Sequence, residues 1–274
     1  MTLKKTRHDG RSYNQLRPVT IHYNTFGYAA GSVLLEMGNT KVLCAVTMQN
    51  GVPPFLRGKQ TGWLAAEYAM LPTSTMERSA REISLMRRNG RSSEISRLIS
   101  RALRMVVNLD VLGERTITID CDVLQADGGT RTACITGAYC ALKNAEAHWL
   151  QTKQIAAPIL VDELAAVSVG VLGDQILLDP DFAEDSTLSA DFNFVLTRSN
   201  KIVEMQGSAE KNPITWDQYT HVVSIAQDGI AQLFDLCQPQ DNDQVEHTKK
   251  VSSKQSTSAQ ATPFFSLLNR QKST

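Results

Sequence analysis

Thr116-Ile117-Thr118-Ile119-Asp120-Cys121-Asp122-Val123 alternates polar and apolar residues with a period of two, and Gly128-Gly129 then leads into a helical stretch from Thr130 to about Leu150. The period predicts a strand with one face in a core, and the order is strand, glycine turn, helix. Strands also pair early in the chain. Ser32–Met37 and Lys41–Thr47 flank Gly38-Asn39-Thr40 as a hairpin would, across residues 31–47. A stretch rich in Gly and Pro (51–62) reads as loop, and the spacing predicts a helix over 92–109 with Ile95, Leu98, Ile99, Ala102, Leu103 and Val106 on its core face.

The second half is richer in strands, at 164–172, 175–178, 190–197 and 201–207, with turns at Gly173-Asp174 and Ser199-Asn200. Thr215 then caps a closing helix to about Leu236, whose buried side carries Val222, Ile225, Ile230 and Leu233. The expected class is α+β in one compact domain over 1–238. Beyond it, residues 239–274 turn to Gln, Ser, Thr, Asp and Lys, a mix that buries too little surface to offset the entropy of ordering, so a disordered tail is expected. Within that tail Pro263-Phe264-Phe265-Ser266-Leu267-Leu268 could serve as a short docking motif for a protein partner or as an inert terminus.

Twenty-eight basic residues balance 28 acidic ones, so any charge argument must be local. No run approaches the roughly 18 apolar residues of a membrane span, and the opening Met1–Arg7 lacks a following apolar stretch, which together predict a cytoplasmic protein with no membrane partner. Cys44, Cys121, Cys134, Cys140 and Cys237 are scattered, without a C-x-x-C pair, and read as reduced packing residues.

Between Glu77 and Arg104 lie eight arginines (78, 81, 87, 88, 91, 97, 101, 104) against three glutamates, with no lysine. Arginine presents a rigid fork of donors that matches phosphate oxygens two at a time, so this choice suggests recognition of phosphate. Arg97, Arg101 and Arg104 share one helix face, where like charges repel unless an anion or carboxylate faces them. A salt-bridged face or subunit interface accounts for these three equally well.

Gly128-Gly129-Thr130-Arg131-Thr132 lies where a strand passes into a helix, which leaves backbone N–H groups and the positive end of the helix dipole available to an anion. The glycines permit close backbone approach, Thr130 adds a hydroxyl and Arg131 a fixed charge; a Gly-Gly pair alone would be only a turn. Asp179, Asp181, Glu184, Asp185 and Asp191 concentrate carboxylates between strand-like segments. Such clusters often cap turns, yet carboxylates brought together this way are also how Mg²⁺ is held beside substrate phosphates.

Taken in order, Gly10-Arg11, Gln15-Leu16-Arg17-Pro18, Gly62-Trp63-Leu64-Ala65-Ala66-Glu67-Tyr68, Leu71-Pro72, Gly90-Arg91, the twelve residues from Cys121 to Thr132, Ala165–Gly170 and Glu184-Asp185 make residues 7–237 resemble the ribonuclease PH family. The resemblance implies that family's fold, of repeated β-α units like the second domain of ribosomal protein S5, and a homohexameric ring built from dimers. It places the phosphate ligands on Arg91, Gly129, Thr130 and Arg131, and catalytic, metal-binding aspartates on Asp185 and Asp191, with Mg²⁺ as cofactor and inorganic phosphate as co-substrate. Arg78 and Arg81 are implied to bind RNA or line a subunit interface. Thr73 departs from the pattern, standing where the family has arginine directly after Leu-Pro.

The implied reaction is phosphorolysis: inorganic phosphate attacks the last phosphodiester of an RNA 3′ end, such as that of a precursor tRNA, and releases a nucleoside diphosphate. Because an anion strikes a polyanion, each unit of unscreened repulsion near 4 Å is worth about 4 kcal/mol at an effective dielectric of about 20, and catalysis is mostly neutralisation and alignment. Either aspartate could instead act as general acid. A ring subunit that binds RNA without catalysis, or a hydrolytic nuclease, would use the same frame, but the first need not keep the aspartates and the second has no need of a phosphate cradle.

Overall fold

A computed structural model describes residues 7–81 and 89–237. Five strands, β1 (Val19–Tyr23), β2 (Gly31–Met37), β3 (Thr40–Asn50), β4 (Trp63–Met70) and β5 (Arg115–Gln125), form a first sheet in the order β1-β2-β3-β5-β4. Only β4 runs parallel to its neighbour; the other pairings are antiparallel. Between β4 and β5 come α1 (Gly90–Arg104) and a short α2 (Leu109–Leu112). Helix α3 (Thr130–Gln151) leads into a second, antiparallel sheet of β6 (Leu164–Leu172), β7 (Gln175–Leu178), β8 (Ala190–Thr197) and β9 (Ile202–Ala209), in the order β7-β6-β8-β9. A single turn, α4 (Phe182–Asp185), sits between β7 and β8, and α5 (Trp216–Leu236) closes the described chain.

Helix α3 packs against β2 and β3 of one sheet and β6 of the other. That position explains its composition: 14 of its 22 residues are buried, so it is apolar nearly all round, as a helix sandwiched between layers must be. Strand β6 is buried at seven of its nine positions, with α3 and α5 both packed on it. Across the molecule the order is first sheet, α3, second sheet, α5.

Small residues set the closeness of these layers. A Cβ built on Gly31 would lie 2.3 Å from the carbonyl oxygen of Ala141 and 2.4 Å from the amide of Ala145, both backbone atoms of α3 that cannot yield without moving the helix. Gly31→Ala should therefore cost about 3 kcal/mol, at the upper end of overpacking penalties, read as a lowered urea midpoint at unchanged slope; a midpoint equal to the parent's would show that α3 does not rest on β2 this closely.

The hairpin forms with Gly38 at φ +57°, the positive dihedral that glycine adopts without a Cβ penalty. The five cysteines are buried and free. Three differences from the sequence expectations have physical causes. The helix expected over 92–109 stops at Arg104: Met105 and Val106 donate to Ala102 and Leu103 in a tightened last turn, and Val107 bridges to Leu160 instead. Strand β4, rich in alanine and weak in strand signal, is stabilised at its free edge by α1, where Ser100 Oγ accepts from the Ala66 amide (2.8 Å) and Ser96 Oγ from that of Tyr68 (3.0 Å). Strand β1 was not expected at all; it is an edge strand, half exposed, with little apolar contrast.

Candidate active site

The connection from β5 to α3 is where the two halves of the chain meet. Gly128 and Gly129 take φ +77° and +63°, and Gly129 is the N-cap of α3, with no side chain to cap the helix. The first-turn N–H groups of a 22-residue helix are thus open toward a cleft of about 820 Å³ lined by Gly129, Thr130 and Arg131. The Thr130 hydroxyl is steadied by Tyr68 Oη at 3.1 Å, and burial pushes that phenol's pKa up to about 12, so it stays a neutral partner. A Gln206 side chain accepts from Arg131 at 3.2 Å and aims it.

Arg91 reaches the same cleft from the start of α1. Asn89 caps that helix by accepting from the Arg91 amide at 3.0 Å, and among the described residues no acceptor is bonded to the Arg91 guanidinium. Asp185, at the end of α4, and Asp191, at the start of β8, line the same cleft, so all six residues implied as phosphate ligands or catalytic aspartates line one cavity. Burial raises the pKa of Asp185, as do the neighbouring charges of Asp191 and Glu210, while Arg91 and Arg131 partly offset them. The cleft therefore brings donors and fixed positive charge together with mutually repelling carboxylates.

Arg78 and Arg81 are not in the cavity lining. Both are exposed on the segment whose Thr75, Met76 and Glu77 do line it, and Thr73 is exposed on the same segment. Arg87 and Arg88 lie outside the described residues, as does the whole of 239–274. On α1, Arg101 pairs with Glu204 at 3.0 Å, as on a salt-bridged face, and Arg104 stacks on Trp63 at 4.4 Å, so both have partners within the chain.

Residues that the sequence did not single out complete the site. Glu210 brings a further carboxylate beside Asp185 and Phe182 an exposed ring to the cavity. A chain from Asn193 through Ser168 (2.9 Å) and Thr132 (3.2 Å) to the carbonyl of Gly129 (2.9 Å) ties β8, two residues past Asp191, to the glycine turn. These are ordinary strand and helix residues, and only topology brings them together. The four-residue α4 did carry a signal, the D-x-x-E spacing of a capping box: Asp181 accepts from the Glu184 amide at 3.0 Å and Glu184 accepts from that of Asp181 at 3.2 Å.

His8, Asp181 and Glu184 come within ligand distance of one another. That group is already neutralised, because Arg7 grips both oxygens of Glu184 and Arg11 lies 3.6 Å from it, so its charge steadies α4 and leaves little for a cation. Burial opposes the charge of Asp181, yet its bond from the Glu184 amide and the proximity of His8 and Arg17 hold its pKa below the ordinary aspartate value. A depressed folded pKa means stabilisation present above the unfolded value and lost as pH falls through the folded one. Asp181→Ala should cost about 1 kcal/mol at neutral pH, and the gap between parent and variant in urea melts should close as pH drops below the aspartate range; a gap that persists in acid would mean the charge is not what holds the turn.

Comparison with known proteins gives a consistent result. The model of the 3′ exoribonuclease family, domain 1, matches residues 15–148, and that of domain 2 of the same family matches residues 162–229. The chain is 50% identical over 227 residues to a ribonuclease PH of Moorella thermoacetica, covering 83% of this chain and 91% of that one. It is equally 50% identical over 230 residues to a ribonuclease PH of Tropheryma whipplei (84% and 93%). Among solved structures, rice (Oryza sativa) Rrp46 superposes with a TM-score of 0.69 at 21% identity, covering 84% of this chain and 98% of that one. An Archaeoglobus fulgidus exosome with RNA bound to the active site gives 0.71 at 22%, covering 84% and 92%; at these identities the likeness is one of fold.

Proposed function

The chain belongs to the 3′ exoribonuclease family, and from that premise we propose that the cleft sets inorganic phosphate against the last phosphodiester of an RNA 3′ end. The protein is a phosphorolytic 3′-to-5′ exoribonuclease of the ribonuclease PH kind. In the proposed assignment Arg91, the N–H groups of Gly129–Arg131, the Thr130 hydroxyl and the Arg131 guanidinium hold the attacking phosphate. The single observation that carries this reading is that an uncapped helix N-terminus, two arginines, Asp185 and Asp191 line one cavity.

A phosphate oxygen forms a bond to the terminal phosphorus as the bond from that phosphorus to the 3′ oxygen of the preceding nucleotide breaks. A nucleoside diphosphate leaves, and the shortened RNA keeps a 3′ hydroxyl after proton uptake. Alignment and neutralisation are the contributions of these side chains, because the reaction joins like charges. Asp185 and Asp191 fit Mg²⁺ by their chemistry: both are hard oxygen donors, and their mutual repulsion, with that of Glu210, would be relieved by a divalent cation. When bound there, Mg²⁺ supplies positive charge beside the scissile phosphate.

The same reading takes RNA 3′ ends, those of precursor tRNA among them, as substrate, a homohexameric ring of dimers as the assembled form, and the cytoplasm as the place of action. Arg78 and Arg81, exposed beside the cavity mouth, are proposed to meet the RNA body or a neighbouring subunit. Residues 239–274 are proposed to dock a protein partner through Phe264-Phe265. No helix among the described residues is long and apolar enough to cross a membrane.

A diester is exchanged for a diphosphate linkage of comparable energy, so excess nucleoside diphosphate should drive untemplated extension of an RNA 3′ end. Extension ladders on a short oligoribonucleotide with Mg²⁺ test this; phosphate-dependent shortening without any extension would contradict the mechanism.

A further inference from the structure

The proposed phosphate ligands belong to the half of the chain matched by the domain 1 model, and the two aspartates to the half matched by domain 2. Productive geometry therefore depends on what fixes one half against the other at the cleft. Arg17, 4% exposed, lies between them. Its Nε donates to Asp179 Oδ2 (2.9 Å) and one terminal nitrogen to Asp179 Oδ1 (2.7 Å), a bidentate fork on a carboxylate that is itself 2% exposed. The backbone amide of Arg17 adds a third bond to Asp179 Oδ2 at 2.9 Å. On the other side its terminal nitrogens donate to the carbonyls of Asp127 and Gly128, directly before the cradle. Thr40 backs that contact, donating from Oγ1 to the Gly128 carbonyl (2.7 Å) and accepting from the Asp127 amide (3.0 Å).

Asp179 begins the segment that leads to Asp185. It holds a left-handed φ of +52°, and Gly128 abuts the same segment so closely that a Cβ on it would lie 2.6 Å from the Pro180 carbonyl oxygen. Both loops are thus in unusual conformations and in contact, and one planar cation bonds both. We infer that Arg17 is a positioning residue that locks the phosphate-holding turn and the aspartate-bearing segment into a single register, so that its fork sets the alignment of the two reactants and not the affinity of either.

This inference rests on the proposed phosphorolytic reading and predicts a particular split in the kinetics. Lysine can keep the charge against Asp179 but cannot bond two loops from one plane. In Arg17→Lys the thermal midpoint should fall, because carbonyls the fork served lose their donor, but in the folded variant the KM for phosphate and the Mg²⁺ half-saturation should change little, while kcat falls on the order of 100-fold, the scale of loss from a misplacement of about 1 Å. Asp179→Asn, in which asparagine tolerates the left-handed dihedral, should show the same pattern to a smaller degree and carries the test if the lysine variant does not fold. Parental kcat in these variants, or a raised phosphate KM at unchanged kcat, would overturn the inference. A parent protein with no phosphate-dependent activity would remove the underlying reading and the inference with it.

Discussion

Asp185→Asn should lower the rate of nucleoside diphosphate release on the order of 1,000-fold while leaving RNA binding intact. Asparagine has the shape of aspartate but carries no charge, and Asp185, whose carboxyl is partly desolvated in the cleft, stands outside the core with its residue surface open to solvent, so the fold should not suffer. What changes is the carboxylate pair. Asp185 and Asp191 lie close enough to raise the pKa of Asp185, and the neutral amide both ends that repulsion and removes half of the hard-donor set opposite the phosphate cradle. Losing one electrostatic contact made chiefly in the transition state costs about 3–4 kcal/mol, which is a factor of about 150 to about 900 in rate, and the upper end applies where a charge is lost. Because a negative charge is deleted, affinity for RNA should hold or rise slightly. Single-turnover kinetics on an end-labelled oligoribonucleotide, with filter binding alongside, separate the two; a variant that keeps more than a tenth of the parental rate would place the chemistry elsewhere.

Arg131→Ala should act on the other reactant. The guanidinium is aimed by Gln206 and stands at the N-terminus of α3, where its charge adds to the helix dipole and the unpaired N–H groups. Truncation should lower kcat/KM for phosphate by on the order of 100-fold or more, about 2.7 kcal/mol, mostly as a raised phosphate KM. The KM for RNA should move much less, because the Asp185 side of the cleft is untouched. Arg131→Lys should recover part of the loss, since a point charge replaces a fork. Equal losses toward both substrates in Arg131→Ala would mean that Arg131 grips RNA and not phosphate.

How much of this was legible beforehand follows from what each feature depends on. The strands at β6, β7 and β8 fall where period and turn residues put them, because burial on a sheet writes itself directly into alternation or apolar runs. Helix α3 was legible from the glycine turn that precedes it, and the Thr130-Arg131 pair from the chemistry that such a turn allows. Strand β4 was not, because its alanines are stabilised by Ser96 and Ser100 of a helix that follows it by twenty residues or more, a contact invisible along the chain. The site itself divides in the same way. Arg91, Arg131, Asp185 and Asp191, which line the cavity, announced themselves by residue type. Asn193, Gln206 and Glu210 did not, since they reach the cavity or its arginine only when β8 and β9 are laid beside α3. The N-terminal arginines are the sharpest case: nothing along the chain assigns Arg7, Arg11 or Arg17 a partner, yet each is buried on carboxylates or carbonyls more than 160 positions away.

The most direct measurement is chromatographic analysis of the products from an RNA with extra 3′ nucleotides, incubated with Mg²⁺ in the presence and absence of inorganic phosphate. Nucleoside diphosphates that appear only with phosphate, and in proportion to the shortening of the RNA, are the predicted result. Nucleoside monophosphates formed equally well without phosphate would contradict it, since the cradle at Arg91 and Gly129–Arg131 would then hold something other than the attacking group.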